Sequence, residues 1–97
     1  MRMKILAIID VVAGARMDEV RASLVDELKG SWNLFSAGIV REAYATETPT
    51  RVVFVMEAAS VEDAKAHLAP LPLVAAGHVR TEFVELMPFV NWQLLFR

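Results

Sequence analysis

The chain has 97 residues, 56% of them hydrophobic, with ten basic and twelve acidic side chains and a net charge of −2. That length allows one domain, residues 1–97, around one core. The balanced charge excludes the basic footprint of a nucleic-acid binder, and the absence of cysteine excludes disulfide scaffolds and thiolate chemistry and suits a reducing cytoplasm.

The first element is a strand over Met3–Val12, apolar almost throughout and so expected to be covered on both faces. The opening MRMKILAIIDVVAGA imitates a secretory leader, with basic residues, an apolar run and Ala-Gly-Ala. Asp10 interrupts that run, and we read the segment as a strand with Asp10 at its solvated end. No apolar stretch is long enough to span a bilayer.

A helix follows within Ala15–Ser36, with Met17–Ser36 as its expected extent. Met17, Val20, Leu24, Leu28, Trp32 and Phe35 recur at steps of three and four and predict an apolar face turned to the core. Trp32 and Phe35 are read as core side chains on that stripe. Asp18 and Glu19 suit the positive end of the helix dipole, and Gly38 is the expected stop. Gly30 costs about 1 kcal/mol relative to Ala inside a helix. It marks either a bend or a close approach by another part of the chain.

The stretch Ala37–Ser60 organises the rest. Two β-rich runs, Ile39–Thr46 and Arg51–Ala58, flank a polar turn at Thr48-Pro49-Thr50 and predict a hairpin. Val52, Phe54 and Met56 point to one side, and Val53, Val55 and Glu57 to the other. Both sides are apolar, so helices covering one face leave the second in need of cover, and a second copy of the sheet is the economical choice. A homodimer is therefore expected.

Ser60 opens a second helix over Val61–Leu68, with Ser60 and Asp63 approximating a capping box. Val61, Ala64 and Leu68 face inward, His67 faces solvent, and Pro70 ends the helix. Leu71–Gly77 reads as an apolar loop, and Val79–Met87 as a fourth strand broken by Pro88. The tail from Phe89 to Arg97 is too apolar to stand in water and is expected to dock on the domain or on a partner. The order β-α-β-β-α-β predicts an α+β, ferredoxin-like sandwich: a four-stranded antiparallel sheet with both helices on one face.

The two histidines, His67 and His78, lack metal-ligand spacing, the four glycines form no phosphate loop, and no serine sits in a nucleophile elbow. The candidate chemistry lies on the hairpin and the last strand. Glu57 or Glu82 is a candidate base for moving a proton beside a carbonyl. Arg41 is a candidate clamp for a substrate carboxylate and Tyr44 a hydrogen-bond donor. Such an isomerisation needs no cofactor. Equally, Arg41 and Glu57 can form an ion pair that only orders the hairpin. Their contact requires that odd residues pair with odd. A three-residue turn, Thr48-Pro49-Thr50, imposes that register, and a four-residue turn, Glu47–Thr50, does not. The odd register is expected, because Glu57 among Val53 and Val55 otherwise needs another cation. Arg41 and Tyr44 share a cavity only across a bulge or where one reaches around an edge.

The run Ser36-Ala37-Gly38-Ile39-Val40-Arg41, the Ser60-led helix and Leu71-Pro72-Leu73 resemble the muconolactone isomerase family, within the dimeric α+β barrel superfamily. The resemblance covers roughly the C-terminal two-thirds of the chain. It implies a homo-oligomeric α+β barrel and a cofactor-independent isomerase of a lactone or carboxylated metabolite. This chain departs from the pattern at Tyr44-Ala45, where the family carries Trp-Arg, and at Pro88-Phe89-Val90, where the family carries His-Pro-Ser-Ser. The alternative function is a non-catalytic binding or interaction module.

Overall fold

The computed structural model describes residues 2–97. In chain order they form β1 (Met3–Val11), α1 (Met17–Ser36), β2 (Val40–Ala45), β3 (Val52–Ala58), α2 (Val61–Leu68), α3 (Pro72–Ala75), β4 (Val79–Leu86) and a 3-10 helix (Val90–Phe96). The four strands make one sheet in the order β2-β3-β1-β4, every neighbouring pair antiparallel. This order is compatible with a ferredoxin-like fold.

Period-two alternation sorts the strand side chains. Ile5, Ala7 and Ile9 of β1 and Phe54, Met56 and Ala58 of β3 lie buried beneath Ala64 and Leu68 of α2 and beside Leu71. Leu6, Ile8, Val53 and Val55 take the opposite face, which no helix covers, and remain half-buried.

Helix ends follow the local chemistry. Ser60 Oγ accepts from the Asp63 N–H at 3.0 Å, and the Asp63 carboxylate accepts from the Ala59 N–H at 2.9 Å. This is a capping box in which the shorter acid reaches one residue further back than usual. α1 closes on a Schellman motif: Gly38, at φ +78°, donates to the Phe35 carbonyl and Ile39 to the Leu34 carbonyl.

Three expectations need correction. Leu71–Gly77 is not a loop throughout, because Pro72 sits in the first turn of the short helix α3, where its missing N–H costs nothing, and Gly77 ends it. The hairpin register is not odd with odd near the turn. Thr46 donates to the Arg51 carbonyl, Tyr44 faces Val53, and the four residues Glu47–Thr50 make the turn. A bulge between Val40 and Glu42 then inserts Arg41 as an extra residue, so that Val40 faces Met56. The bulge lets Val40 turn into the core, where it is 1% exposed, although Ala43 and Ala45 already point to the same side.

The third correction concerns α1. Val20 is its one buried residue, whereas Leu24, Leu28, Trp32 and Phe35 are all exposed, Trp32 by 64%. Trp32 and Phe35 are therefore not core, and they stack on each other at 5.4 Å. The inward stripe is instead Val20, Ser23, Glu27, Gly30 and Leu34, rotated away from the most apolar one. The physical reason is the contact with the segment around α3. Gly30 lies so close to Leu71 that a Cβ there would come within 2.5 Å of Leu71 Cδ2. Only a helix turned with Gly30 inward can approach to that distance.

Candidate functional site

Rotating α1 in this way lifts its apolar ridge off the β2 edge of the sheet and leaves a cleft of ≈ 470 Å³ between them. Its walls are aliphatic and aromatic, with Val20, Leu24 and Leu28 from α1, Val52 and Phe54 from β3, and Leu73 from α3. The size lies within the range of small-molecule sites. One ionisable carboxyl lines it, Glu27, and no Arg or Lys does.

Glu27 is half-buried, and its Oε1 accepts from the Leu73 N–H at 2.9 Å. Burial pushes its pKa above the usual carboxylate value, with the Leu73 hydrogen bond opposing part of that rise. The bond to Leu73 uses Oε1 of the two carboxyl oxygens. Two hydroxyls nearby are already engaged: Ser31 Oγ donates to the Leu28 carbonyl and Thr50 Oγ1 to the Glu47 carbonyl. The cleft thus pairs a large apolar wall with one carboxylate held in an environment that favours its protonated form.

Sequence reasoning missed Glu27, though a signal was present. Glu27 stands seven residues after Val20 and seven before Leu34, on one helical stripe, so it is a charged side chain at an inward position.

Of the four sequence-derived candidates, Tyr44 is among the residues lining the cleft, and Arg41, Glu57 and Glu82 are not. Glu57 and Glu82 are on the helix-free face of the sheet, Glu57 opposite Lys4 and Glu82 opposite Ile8. Tyr44 faces Val53 at the β2 edge, where it also borders the cleft, and its hydroxyl donates to Glu42 Oε1 at 2.6 Å. The bond to the Glu42 carboxylate, together with its charge, raises the Tyr44 pKa above the ordinary phenol value. Arg41, on the bulge, folds back until Nη1 lies 3.4 Å from the Cβ position of Gly38, just past the end of α1. A cation suits the carbonyl end of a helix.

The expected Arg41–Glu57 contact does not form, and among the described residues neither side chain has an ion-pair partner. The bulge is the reason, because it diverts Arg41 toward the helix end. Asp10 is also more than a solvated strand end, since it accepts from Arg51 across the β1–β3 pair at 3.0 Å.

Another concavity, ≈ 630 Å³, opens where the chain leaves β4, between Arg2, Lys4 and Met87-Pro88. It is a crook between strand ends and the departing tail, and it encloses no half-buried acid comparable to Glu27. Among the described residues, no group of three or more His, Asp or Glu is placed to hold a metal ion, and no helix is long and apolar enough to cross a membrane. No family model matches the chain, and no curated protein matches it significantly.

Proposed function

We propose that this chain is a small-molecule-binding protein of the dimeric α+β barrel type, acting in a reducing cytoplasm. Its ligand is a neutral, mainly apolar carbonyl compound such as a lactone, bound in the cleft between α1 and the sheet. The observation that carries the reading is Glu27, a carboxyl of raised pKa in an otherwise apolar cleft. The absence of Arg and Lys from the lining argues against a carboxylated ligand, which the ionised form of Glu27 would repel.

The chemistry open to this arrangement is cofactor-independent isomerisation. Glu27 removes a proton from the carbon beside the carbonyl, and the electron pair moves onto the carbonyl oxygen as an enolate. The same carboxyl returns the proton at a conjugated carbon, so no oxidant or reductant is consumed. A raised pKa brings the carboxyl closer to that task at neutral pH, and the apolar walls keep water from competing for the proton.

A second reading, a non-catalytic binding module, is favoured by one observation. The three hydroxyls that line the cleft spend their protons elsewhere, Ser31 and Thr50 on backbone carbonyls and Tyr44 on Glu42, so an enolate oxygen would have to compete for one of them.

Assembly belongs to the same proposal. Leu6, Ile8, Val53 and Val55 form an apolar centre on the helix-free face, framed by Lys4, Asp10, Arg51, Glu57 and Glu82. Two such faces packed together bury their centres and let the charged frames pair. Arg41, Tyr44, Glu57 and Glu82 then line the rim of the assembly, where a second, polar subsite would use them.

The experiment is a thermal-shift panel of neutral lactones and ketones against their carboxylated analogues, followed by deuterium wash-in at the ligand's acidic carbon in D₂O. Stabilisation by neutral ligands with wash-in that Glu27→Gln abolishes supports the isomerase. Stabilisation without wash-in leaves the binding module. Preference for carboxylates, unaffected by Glu27→Gln, overturns the site.

A further inference from the structure

His78 follows Gly77, whose φ of +76° ends α3, and it is bonded to three different elements. Its N–H donates to the Leu73 carbonyl of α3 at 3.0 Å. Its carbonyl accepts from the Val12 N–H, where the chain leaves β1, at 3.0 Å. Its imidazole Nε2 lies 3.3 Å from Glu19 Oε2 in the first turn of α1. The His78 side chain is only 17% exposed, so solvent screens this last contact incompletely.

The junction closes one end of the Glu27 cleft. Val20, next to Glu19, and Val79, next to His78, both line it, as does Leu73. The Leu73 N–H donates to Glu27 Oε1 at 2.9 Å, while the Leu73 carbonyl accepts from His78. Glu19 and Glu27 stand eight residues apart on α1, about 12 Å along its axis. Between them they hold the two ends of the segment from Leu73 to His78. That segment has no charged residue before His78 itself. The Glu27–Leu73 and Glu19–His78 contacts are therefore its polar attachments to α1 among the described residues.

We infer that His78 is a positioning residue for the Glu27 site: paired with Glu19, it holds the segment from Leu73 to His78 against α1 and so keeps the Leu73 N–H on the Glu27 carboxyl. The inference rests on the reading of Glu27 given above. It carries a pH dependence of definite sign. Imidazoles change charge between about pH 5 and 8. A neutral ring offers Glu19 an ordinary hydrogen bond, and a protonated ring a charge-assisted one roughly twice as strong. The hold therefore tightens below neutral pH and relaxes above it. The Leu73 hydrogen bond lowers the Glu27 pKa against the effect of burial. As the hold relaxes, that bond weakens, and Glu27 binds its proton more tightly.

The charged surroundings of His78 are simple. Glu19 faces it from α1, with Arg16 Nε 3.4 Å from the carboxylate's other oxygen. On the sheet side, Asp10 of β1 lies in register with Arg80 of β4 and is held by Arg51 at 3.0 Å. The second histidine, His67 of α2, lies 3.5 Å from Asp63 and borders a different concavity, beside Leu71 and Pro72.

Amide hydrogen exchange followed by NMR tests the inference on the full chain without a ligand. The readout is the protection of the Leu73 and His78 amides from about pH 5.5 to 8, corrected for the intrinsic pH dependence of exchange. The parent protein is Glu27→Gln, which removes the titration of Glu27 and keeps an acceptor for the Leu73 N–H. Protection at both amides should fall about threefold to tenfold across that range, while Ile5 and Met56, buried in the sheet, hold theirs. His78→Gln should flatten the profile, and so should Glu19→Gln, a change at an exposed position that spares folding. His67→Gln should leave it intact. With Glu27 restored, His78→Gln should raise the Glu27 titration midpoint read from its carboxyl carbon-13 shift. A flat profile in the parent, one that survives Glu19→Gln, or one that vanishes with His67→Gln overturns the inference. So does a loss of protection shared equally by Ile5 and Met56, which marks His78 as a structural residue only. None of these outcomes involves lactone binding, which the thermal-shift panel reads separately. A profile of the expected form in a protein that binds no lactone supports the hold on Leu73 and overturns the proposed function alone.

Discussion

Replacing Gly30 by Ala sets two opposed effects against each other. In the helix interior Ala is favoured over Gly by about 1 kcal/mol, so local propensity alone predicts a more stable protein. The tertiary structure predicts the reverse. The new Cβ would lie 2.5 Å from Leu71 Cδ2, where ordinary contact needs about 3.5–4 Å, so one of the two must move by about 1 Å. Leu71 is 5% exposed and packs in the core cluster. Overpacking of this kind costs about 1–3 kcal/mol. The net is a loss of about 0–2 kcal/mol, and near the centre of that range the melting temperature falls by about 4–8 °C. The shift also moves the Leu71–Leu73 segment, and with it the N–H that Glu27 accepts from. Ligand affinity should therefore fall together with stability.

Urea denaturation of four proteins measures the balance: wild type, Gly30→Ala, Leu71→Ala and the double variant. Leu71→Ala alone should cost about 2–5 kcal/mol through the cavity it leaves. The double variant should lose less than the sum of the singles, because the methyl group introduced by Gly30→Ala enters that cavity, with a coupling of about 0.5–3 kcal/mol. A Gly30→Ala protein stabilised by the full helix-propensity gain, with additive singles, would refute the close approach of α1 to Leu71.

Three further expectations follow from single contacts. Ser60→Ala removes the hydroxyl that accepts from the Asp63 N–H and should cost about 1 kcal/mol in urea denaturation, whereas Ser60→Asp should cost little. Gly38→Ala forces a side chain into the φ +78° conformation that ends α1 and should cost about 1–2 kcal/mol, with no effect on the Glu27 cleft in ligand titrations. Glu27 gives a pH signature of definite sign. Its folded pKa lies above the unfolded value of about 4.5, so the folded state binds the proton more tightly. Relative to Glu27→Gln, wild type should hold its full stability below that value and lose some as pH rises through the folded pKa. Parallel urea midpoints for the two proteins from pH 4 to pH 7.5 would contradict this.

The sequence made the elements readable where a local rule decides them. Ser60 with Asp63 marks a helix start because hydroxyl and carboxylate act on N–H groups within four residues. Gly38 marks a helix end because one backbone conformation there excludes most other residues. The alternation in β3 marks a strand with two apolar faces because side-chain direction follows from chain geometry alone. Register is a different kind of quantity. It accumulates over the turn and any bulge: the four residues of Glu47–Thr50 set one parity, the extra residue at Arg41 reverses it, and Arg41 itself falls at the bulge and out of the regular pairing with β3.

The rotation of α1 lies further still from local rules. Periodicity gives two stripes, one rich in large side chains through Leu24, Leu28 and Trp32, the other carrying Ser23, Glu27 and Gly30. Counting apolar residues selects the first. The structure turns the second inward, because Leu71, some forty residues on, needs the space that Gly30 leaves, and the Leu73 N–H needs an acceptor that Glu27 supplies. An unpaired N–H at that half-buried place would cost about 1–3 kcal/mol, comparable with keeping one large side chain in water. The exposed stripe carries four such side chains, so this one hydrogen bond offsets only part of their exposure, and the close packing of Gly30 on Leu71 supplies a further share. The C-terminal 3-10 helix Val90–Phe96 likewise keeps its large side chains exposed, Phe96 by 84%.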